Sequence, residues 1–364
     1  MTITSLQLRD VGMVLITIYI MENNYFILSD KSLHIERLHI CTWDFFDTKA
    51  AIEIGMEFSS LPDVNEVCIK LSMPFLKSGD KVNCLTETLV RDDDNSKFIF
   101  NDYIKSNQPI RQDRRNGAIL VFEHRTSLAV LPVQNIIIDN GLCSFVIRNL
   151  NHEINNYIRL YIQPNIPNLA IIKKGISKTD YIYDIKINEQ RNLPNPIHDL
   201  LNEGFNICTT IKRCFCLQVV PIQYNILYLD SNKLKNIRIL ESEGFNHYLP
   251  DTQKIQTNDF LIIFNKSEGS ADGSYTFFSE FEKETIGNKQ IILAIATNLI
   301  CSLLFGISAL RDWHKGGEWY NKLPWEYWTT IIILFAFILY LFVPWKKYLL
   351  WIKMKYKQCR RPKE

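Results

Sequence analysis

Residues 51–58 read AIEIGMEF, and this short segment indicates how most of the chain folds. Apolar residues occupy every second position from Ile52 to Phe58, and the positions between them hold Glu53, Gly55 and Glu57. Successive side chains of a strand point to opposite faces, so this alternation separates an apolar face from a polar one. We therefore predict a β-strand with one face in the core and one face towards solvent.

Similar strand-like segments lie at short, regular intervals along the chain. Asn-Gly dipeptides at 116–117 and 140–141 are typical of tight hairpin turns. The predicted strands before residue 190 are 51–58, 66–73, 97–104, 119–124, 129–133, 135–139, 143–148, 157–163, 170–173 and 181–187. The apolar run 11–21 is too short to span a bilayer and is predicted as a further buried strand. This spacing predicts a mainly β fold, an antiparallel β-sandwich or a barrel.

A helical pattern at residues 197–213 follows Pro194 and Pro196 and separates these strands from a second group. The second group is predicted at residues 214–220, 224–229, 234–241 and 259–264. Residues 265–274, NKSEGSADGS, have the small polar composition of a linker. The soluble part is thus predicted to contain a β-rich domain at 1–193, a strand-rich block with one helix at 194–264, and a linker and stem at 265–288.

Two long apolar runs, residues 291–310 and 328–345, distinguish the end of the chain. A helix of about 20 apolar residues spans the hydrocarbon core of a bilayer, which is about 30 Å thick. The first run has no charged residue, and the second lies between Trp328 and Trp345, as is typical at bilayer boundaries. A soluble helix normally has a polar face, which residues 331–343 lack. We predict a transmembrane helical hairpin at 289–345.

The tail at 346–364 holds eight basic residues and one acid, Glu364. Because Lys and Arg favour the cytoplasmic side, we expect a multi-pass cell-membrane protein with both termini in the cytoplasm. Each basic residue near an anionic leaflet contributes about 1 kcal/mol of attraction. The candidate membrane-surface residues are Lys346, Lys347, Lys353, Lys355, Lys357, Arg360 and Arg361.

The whole chain has 41 basic and 39 acidic residues, so the part before the basic tail is slightly acidic. This balance argues against direct binding of nucleic acid, which usually requires a basic surface. The nine cysteines are scattered and odd in number, which favours a reduced, cytosolic domain over a disulfide framework.

The sequence holds no complete catalytic or metal-binding motif. His152 and Glu153 begin like a zinc-protease helix, but Asn156 stands where the second histidine is needed. The acidic segment 92–96 is typical of a turn, and the cysteines at 208–216 are typical of a core. We therefore expect no cofactor and no metal, and we favour a protein without enzyme activity while leaving an enzyme as an open alternative.

One small basic loop is a candidate for contact with a ligand or a partner. It contains Arg111, Arg114 and Arg115, directly before the Asn-Gly turn at 116–117. Clusters of this kind are most often solvated, but a phosphate or nucleotide is also a suitable partner for them.

The first apolar run carries small and polar residues at four-residue intervals. Ala294, Asn298, Ser302 and Gly306 share one face of a helix, and Thr297 lies beside them. In lipid, small residues let helices approach closely, and an Asn amide is costly unless another helix satisfies it. We predict a helix–helix contact along this stripe, within one chain or between chains, and several chains together could line a pore.

A β-rich domain followed by a linker and a two-span hairpin resembles, in arrangement, the membrane effectors of bacterial anti-phage systems. In those proteins a sensing domain triggers membrane-disrupting spans. The resemblance implies a homo-oligomer or hetero-complex in which the β-rich domain binds a cytosolic partner protein or signal and the hairpin permeabilises the bilayer. The alternative is a membrane-tethered scaffold with a passive anchor, and an enzyme site assembled from distant residues is a third hypothesis.

Overall fold

A computed structural model describes residues 24–46, 48–175, 177–191, 193–249, 255, 259–270, 272–284 and 288–314, with isolated positions 329, 332 and 335. The chain forms two compact units, residues 1–285 and residues 286–364. The strand predicted at 11–21 and the basic tail lie outside the described residues, as does most of the second apolar run.

The first unit is built mainly from two mixed β-sheets arranged like a sandwich. Among the described residues, the first sheet has nine strands. They are β1 (Asn24–Ser29), β4 (Glu66–Ser72), β9 (Val133–Asp139), β10 (Leu142–Arg148), β12 (Ile171–Lys174), β13 (Lys178–Ile187), β14 (Asn206–Ile207), β17 (Asn225–Leu229) and β20 (Tyr275–Glu284). Their order is β17-β20-β13-β1-β4-β10-β9, with β12 beside β13 and β14 beside β1.

The second sheet is larger and has eleven strands in the described part of the chain. They are β2 (His34–Asp44), β3 (Ala50–Phe58), β5 (Lys81–Cys84), β6 (Ile104–Pro109), β7 (Ala118–Phe122), β8 (Leu128–Val130), β11 (Asn155–Gln163), β15 (Thr210–Ile211), β16 (Arg213–Pro221), β18 (Leu234–Ile239) and β19 (Phe260–Glu268). Their order is β18-β19-β16-β2-β3-β11-β8-β7-β6, with β15 beside β2 and β5 beside β11.

Short helices connect the strands. They are α1 (Thr86–Arg91), α2 (Asp93–Phe100), α3 (Asn195–Asn202) and α4 (Ser242–Tyr248), with single 3-10 turns at Ile110–Gln112 and Arg114–Asn116. The second unit contains α5 (Asn288–His314).

Two large apolar clusters lie on the two faces of the larger sheet, and a smaller third cluster packs Ile197 and Leu200 of α3 against Phe26 and Leu28 of β1. The main core lies between the sheets and includes Ile52, Ile54 and Met56 of β3. A second cluster covers the outer face of the larger sheet and contains side chains from α1, α2 and α4, including Leu89, Phe100 and Phe245. The larger sheet is therefore buried on both faces over much of its area.

The prediction of a mainly β, sandwich-like fold is confirmed, but the sheets are mixed and not purely antiparallel. β16 runs parallel to β2, and β13 runs parallel to β1. The alternation of apolar and polar residues sets the period of a strand, whereas its direction depends on a partner that is distant in the sequence.

The strand predicted at 51–58 is present as β3, but the prediction of a solvent-exposed face was wrong. Every residue of β3 is buried, including Glu53 and Glu57. The charged face is covered because α1, α2 and α4 pack over this part of the sheet.

Two other local predictions were also wrong. Residues 97–104 include the end of a helix, α2, because the Asp92 carboxylate accepts a hydrogen bond from the Asp94 N–H at 3.0 Å and caps the helix. The helix predicted at 197–213 ends at Asn202, shortly before Gly204, whose φ of +94° is left-handed. The chain then enters β14, β15 and β16.

The structure also differs from the predicted division of the soluble part. Strands from 1–193 and 194–264 share both sheets, as the pairing of β2 with β16 shows. The predicted linker and stem at 265–288 contain the end of β19 and all of β20, which pairs with β13 over ten residue pairs. At Gly273 between these strands, a Cβ would lie 1.9 Å from the Thr209 carbonyl oxygen, so this connection packs tightly.

In the second unit, α5 covers the predicted first span with 27 helical residues. Within the described residues, no helix reaches the length and hydropathy required for crossing a membrane. The transmembrane hairpin at 289–345 stays a prediction.

Candidate functional site

Buried charge on the outer face of the larger sheet is the most unusual chemical feature of the first unit. Glu53 is fully buried and Glu57 is 3% exposed. Arg159, on the neighbouring strand β11, is only 5% exposed. Because a buried charge is costly unless it is paired and hydrogen-bonded, the partners of these groups determine whether the face can fold.

Glu53 is paired on both of its oxygens. The Trp43 Nε1–H donates to Glu53 Oε1 at 2.8 Å, and the Arg159 Nε–H donates to Glu53 Oε2 at 2.7 Å. A second Arg159 nitrogen, Nη2, forms an ion pair with the same Oε2. Glu53 and Arg159 are 106 residues apart in the sequence, so only the pairing of β3 with β11 brings them together.

Gly55 makes room for the next part of this network. A Cβ at Gly55 would lie 2.4 Å from Tyr157 Oη and 3.3 Å from Arg159 Nη1, so these side chains lie directly across the glycine. Arg159 Nη1 donates to Tyr157 Oη at 3.2 Å, and His39 Nδ1 lies 3.4 Å from the same oxygen. Burial, with Arg159 nearby, holds the pKa of His39 well below its usual range, so its imidazole is neutral near pH 7.

Glu57 is the second buried carboxylate, and it has several partners. Arg125 Nη2 donates to Glu57 Oε2 at 2.6 Å, and Asn155 Nδ2 donates to Oε1 at 3.1 Å. Arg37 Nε lies 3.5 Å from Oε2, an ion pair without hydrogen-bond geometry. The Arg125 guanidinium also packs 4.9 Å from the ring centroid of Phe122. One carboxylate thus balances two guanidinium groups.

Arg213 brings a further positive charge to this region. It precedes Cys214, which pairs with Leu38 in the parallel register of β16 and β2, so Arg213 is a neighbour of Arg37. We refer to Arg37, Arg125 and Arg213 as the arginine cluster. Their three Nε atoms are buried and have no hydrogen-bond partner within the described part of the chain. Burial and the nearby Arg125 lower the pKa of Arg37, and Arg213 lowers it further.

A groove of about 810 Å³ opens beside the arginine cluster. Its walls come from the segment before β16, from the end of β19 and from the start of β2. Its lining includes His34, Thr209, Thr210, Lys212, Arg213 and Glu268. Within the groove, Lys212 Nζ is paired with Glu36 Oε2 at 3.1 Å, and Glu268 is paired with Lys266 at 2.7 Å. The cations Lys212, Arg213 and Lys266 outnumber the carboxylates Glu36 and Glu268 by one at this groove, which favours an anion.

The predicted loop arginines lie on the two 3-10 turns and are exposed. Arg111 Nη2 donates to Asn149 Oδ1 at 2.7 Å, and Arg114 Nη1 donates to the Arg91 carbonyl oxygen. The Arg115 backbone N–H bonds to Asp113. Two of the three side chains therefore hold the loop against the rest of the unit, and their role as ligand contacts stays a prediction.

The predicted small-residue stripe lies on α5. Ala294, Asn298, Ser302 and Gly306 are exposed, and Thr297 Oγ1 donates to the Leu293 carbonyl oxygen at 2.8 Å. The helical spacing of the stripe is therefore present. The membrane-surface residues Lys346, Lys347, Lys353, Lys355, Lys357, Arg360 and Arg361 lie outside the described residues.

The cysteines of the described region are free, and most are buried in the apolar clusters. Cys214 and Cys216 point to the same face of β16, into the core between the sheets. No cluster of three or more His, Cys, Asp or Glu side chains there is arranged to hold a metal ion.

The buried charges of the larger sheet were not selected as site residues from the sequence. One signal was available, because Arg159 interrupts an otherwise apolar strand and Glu53 and Glu57 alternate with apolar residues. At Glu53 and Glu57 the alternation predicted solvent exposure, and Arg159 carried no prediction. Comparison with known proteins adds no relative, since no model of a protein family and no curated protein matches the chain.

Proposed function

We propose that the protein is a membrane-anchored effector whose β-sandwich unit senses a partner or signal and whose C-terminal helices oligomerise to permeabilise the membrane. The observation that carries this proposal is the surface of α5. A 27-residue helix is about 40 Å long. Its exposed large apolar side chains are Ile291, Leu293, Ile295, Leu299, Ile300, Leu303 and Phe305, which are 42–64% exposed.

An apolar surface of this extent favours a membrane or a protein interface, because soluble proteins rarely expose large contiguous apolar patches. The exposed residues include neighbours such as Leu299 and Ile300, so the apolar surface is not restricted to one narrow stripe. The uncharged run 291–310 and the basic tail favour the membrane.

The small-residue stripe supplies the element for oligomerisation. Asn298 and Ser302 are polar groups on an otherwise apolar helix, and in lipid each is stabilised by a hydrogen bond to another helix. Association of several chains through the stripe would bring these groups towards a shared axis. The same helix–helix contact would line a membrane lesion with the polar groups of Asn298 and Ser302.

The test is to express the full chain in bacterial cells and to follow membrane potential with a voltage-sensitive dye. We expect the wild type to depolarise the cells and Asn298→Leu/Ser302→Leu to remain in the membrane fraction without depolarising them. The matched control is Leu299→Ile/Leu303→Ile, which keeps the apolar surface and should act like the wild type.

Unchanged depolarisation by the Asn298→Leu/Ser302→Leu variant would remove the stripe from the mechanism. Recovery of the wild type in the soluble fraction would contradict the membrane anchor itself.

A tethered scaffold is the second candidate, and the exposed edge of the first unit favours it. β17 and β18 are edge strands of the two sheets and carry exposed apolar side chains, including Leu227, Tyr228 and Ile239. Replacing residues 289–364 with an unrelated two-span anchor separates the two functions. Retained activity favours the scaffold, and lost activity favours the effector.

A further inference from the structure

Arg213 is the charged side chain that connects the groove to the half-buried arginine cluster. It lines the groove, and its buried Nε atom has no hydrogen-bond partner within the described residues. Other positive groups nearby have acids of their own. Lys212 is paired with Glu36, Lys266 with Glu268, and Arg125 with Glu57. Arg213 has no salt bridge within 4.0 Å to a residue that the structure describes, although Glu268 lies opposite it in the register of β16 and β19. The pKa of Glu268 is lowered by its hydrogen bond to Lys266 and in part by the charge of Arg213.

The same surroundings leave Arg37 only partly satisfied. Its one ion pair to Glu57, at 3.5 Å, is shared with the closer Arg125, which lies 2.6 Å from the same oxygen. Arg37 and Arg213 are adjacent guanidinium groups whose nearest carboxylates also serve other cations, because Glu57 is shared with Arg125 and Glu268, opposite Arg213, is paired with Lys266. Two neighbouring positive charges repel each other in a partly desolvated site, and a bound anion removes that repulsion.

We propose that Arg213 and Arg37 bind a phosphate-bearing small molecule that enters through the groove. A guanidinium group presents its donors in a planar fork that matches two oxygens of a phosphate. A phosphate group with about two negative charges balances both arginines, whereas a single carboxylate balances one. Thr209 and Thr210 line the same groove and provide hydroxyl groups beside the site.

The aromatic residues near Arg213 help to distinguish two classes of ligand, nucleotides and inorganic phosphates. Phe215 follows Arg213 by two residues on β16, so both point to the outer face of the sheet. Phe215 is half-buried and stacks on Phe264, with ring centroids 5.8 Å apart. The base of a nucleotide held at Arg213 would pack beside Phe215, where Lys266 Nζ now lies 5.9 Å from the ring centroid, while inorganic phosphate or pyrophosphate would use the arginines alone.

This inference deepens the proposed function, because a phosphate-bearing molecule is then the signal that the first unit senses. The inference about ligand binding rests on the proposed function only where it concerns the effect of the bound ligand on the membrane. Binding is measured on the purified chain without reference to membrane potential, so the two proposals fail separately.

The experiment is isothermal titration calorimetry of the full-length protein with inorganic pyrophosphate and, separately, with ATP at low salt. We expect saturable binding that weakens as KCl is added, because the contacts are ionic. Arg213→Gln should weaken binding of both probes about tenfold or more, since it removes a charge-assisted contact. Phe215→Leu should weaken ATP alone if the site prefers nucleotides, and neither probe if it recognises phosphate only.

The matched control is Arg148→Gln, which removes an exposed arginine from the other sheet and should bind like the wild type. If Arg213→Gln does not fold, Arg213→Lys serves in its place, because it keeps the charge but loses the planar fork and should bind more weakly than wild type. Absence of saturable binding of both probes by the wild type overturns the proposal. So does wild-type affinity in a folded Arg213 variant.

Discussion

Glu53 has the residue type of a surface position and the environment of a core position. It is fully buried, and its oxygens are held by Trp43 and Arg159. A buried ion pair adds little net stability compared with apolar residues, but loss of one partner leaves an uncompensated buried charge. Glu53 and Arg159 therefore depend on each other more strongly than an exposed pair does.

We predict that Glu53→Gln lowers the free energy of unfolding by about 3–5 kcal/mol, because the buried Arg159 then loses the carboxylate that holds its Nε and Nη2 atoms. The control is Glu66→Gln, whose partner Arg148 is 48% exposed and whose loss should cost below about 1 kcal/mol. Urea denaturation of the full chain measures both. The double variant Glu53→Gln/Arg159→Met should recover part of the lost stability. Equal losses of stability in Glu53→Gln and in the control Glu66→Gln would contradict this account.

At the scale of elements, β17 and β18 leave one side of the first unit open. Both are edge strands, and both are exposed over most of their length. Edge strands usually carry charge or bulges that prevent pairing with another chain. β17 and β18 each have a bulge, and β18 carries Lys235 and Arg238. Their side chains Leu227, Tyr228, Ile237 and Ile239 are nevertheless 40–51% exposed, which favours association with another protein surface.

We predict that Ile237→Lys/Ile239→Lys reduces self-association of the full chain, because charge on an exposed edge opposes strand pairing. Mass photometry of the detergent-solubilised protein measures the change. Ile137→Lys is the control, since Ile137 is 62% exposed on β9, at an edge of the other sheet. The same distribution of species in the wild type and in the β18 variant would show that this edge makes no contact between copies.

At the scale of the whole molecule, the main core between the sheets buries several free thiols. Burial raises the pKa of Cys143 to about 11 and those of Cys208 and Cys216 to about 12. In the unfolded chain these thiols titrate near the ordinary value of about 8.5. The folded state therefore keeps protons that the unfolded state loses as pH rises.

The contribution of these thiols to the free energy of unfolding should be present in full below about pH 8.5. It should decrease as the pH rises towards 11 to 12, because the unfolded state binds fewer protons than the folded state in that range. Each such thiol contributes a decrease of about 1.4 kcal/mol per pH unit within this window. Thermal melting from pH 8 to 11 measures the slope, and Cys143→Ala/Cys208→Ala should make it shallower. A melting temperature that stays constant to pH 11 would contradict the burial of these thiols.

The sequence by itself determined the strand period of AIEIGMEF, the mainly β class and the helical spacing of residues 291–310. These follow from side-chain alternation and apolar runs, which are properties of neighbouring residues. Only the tertiary structure decided that Glu53 is buried, that β16 runs parallel to β2, and that Arg37, Arg125 and Arg213 meet beside a groove. The physical reason is that burial and strand pairing depend on which distant segment covers a face, and the local pattern is the same whether that cover is water or a helix.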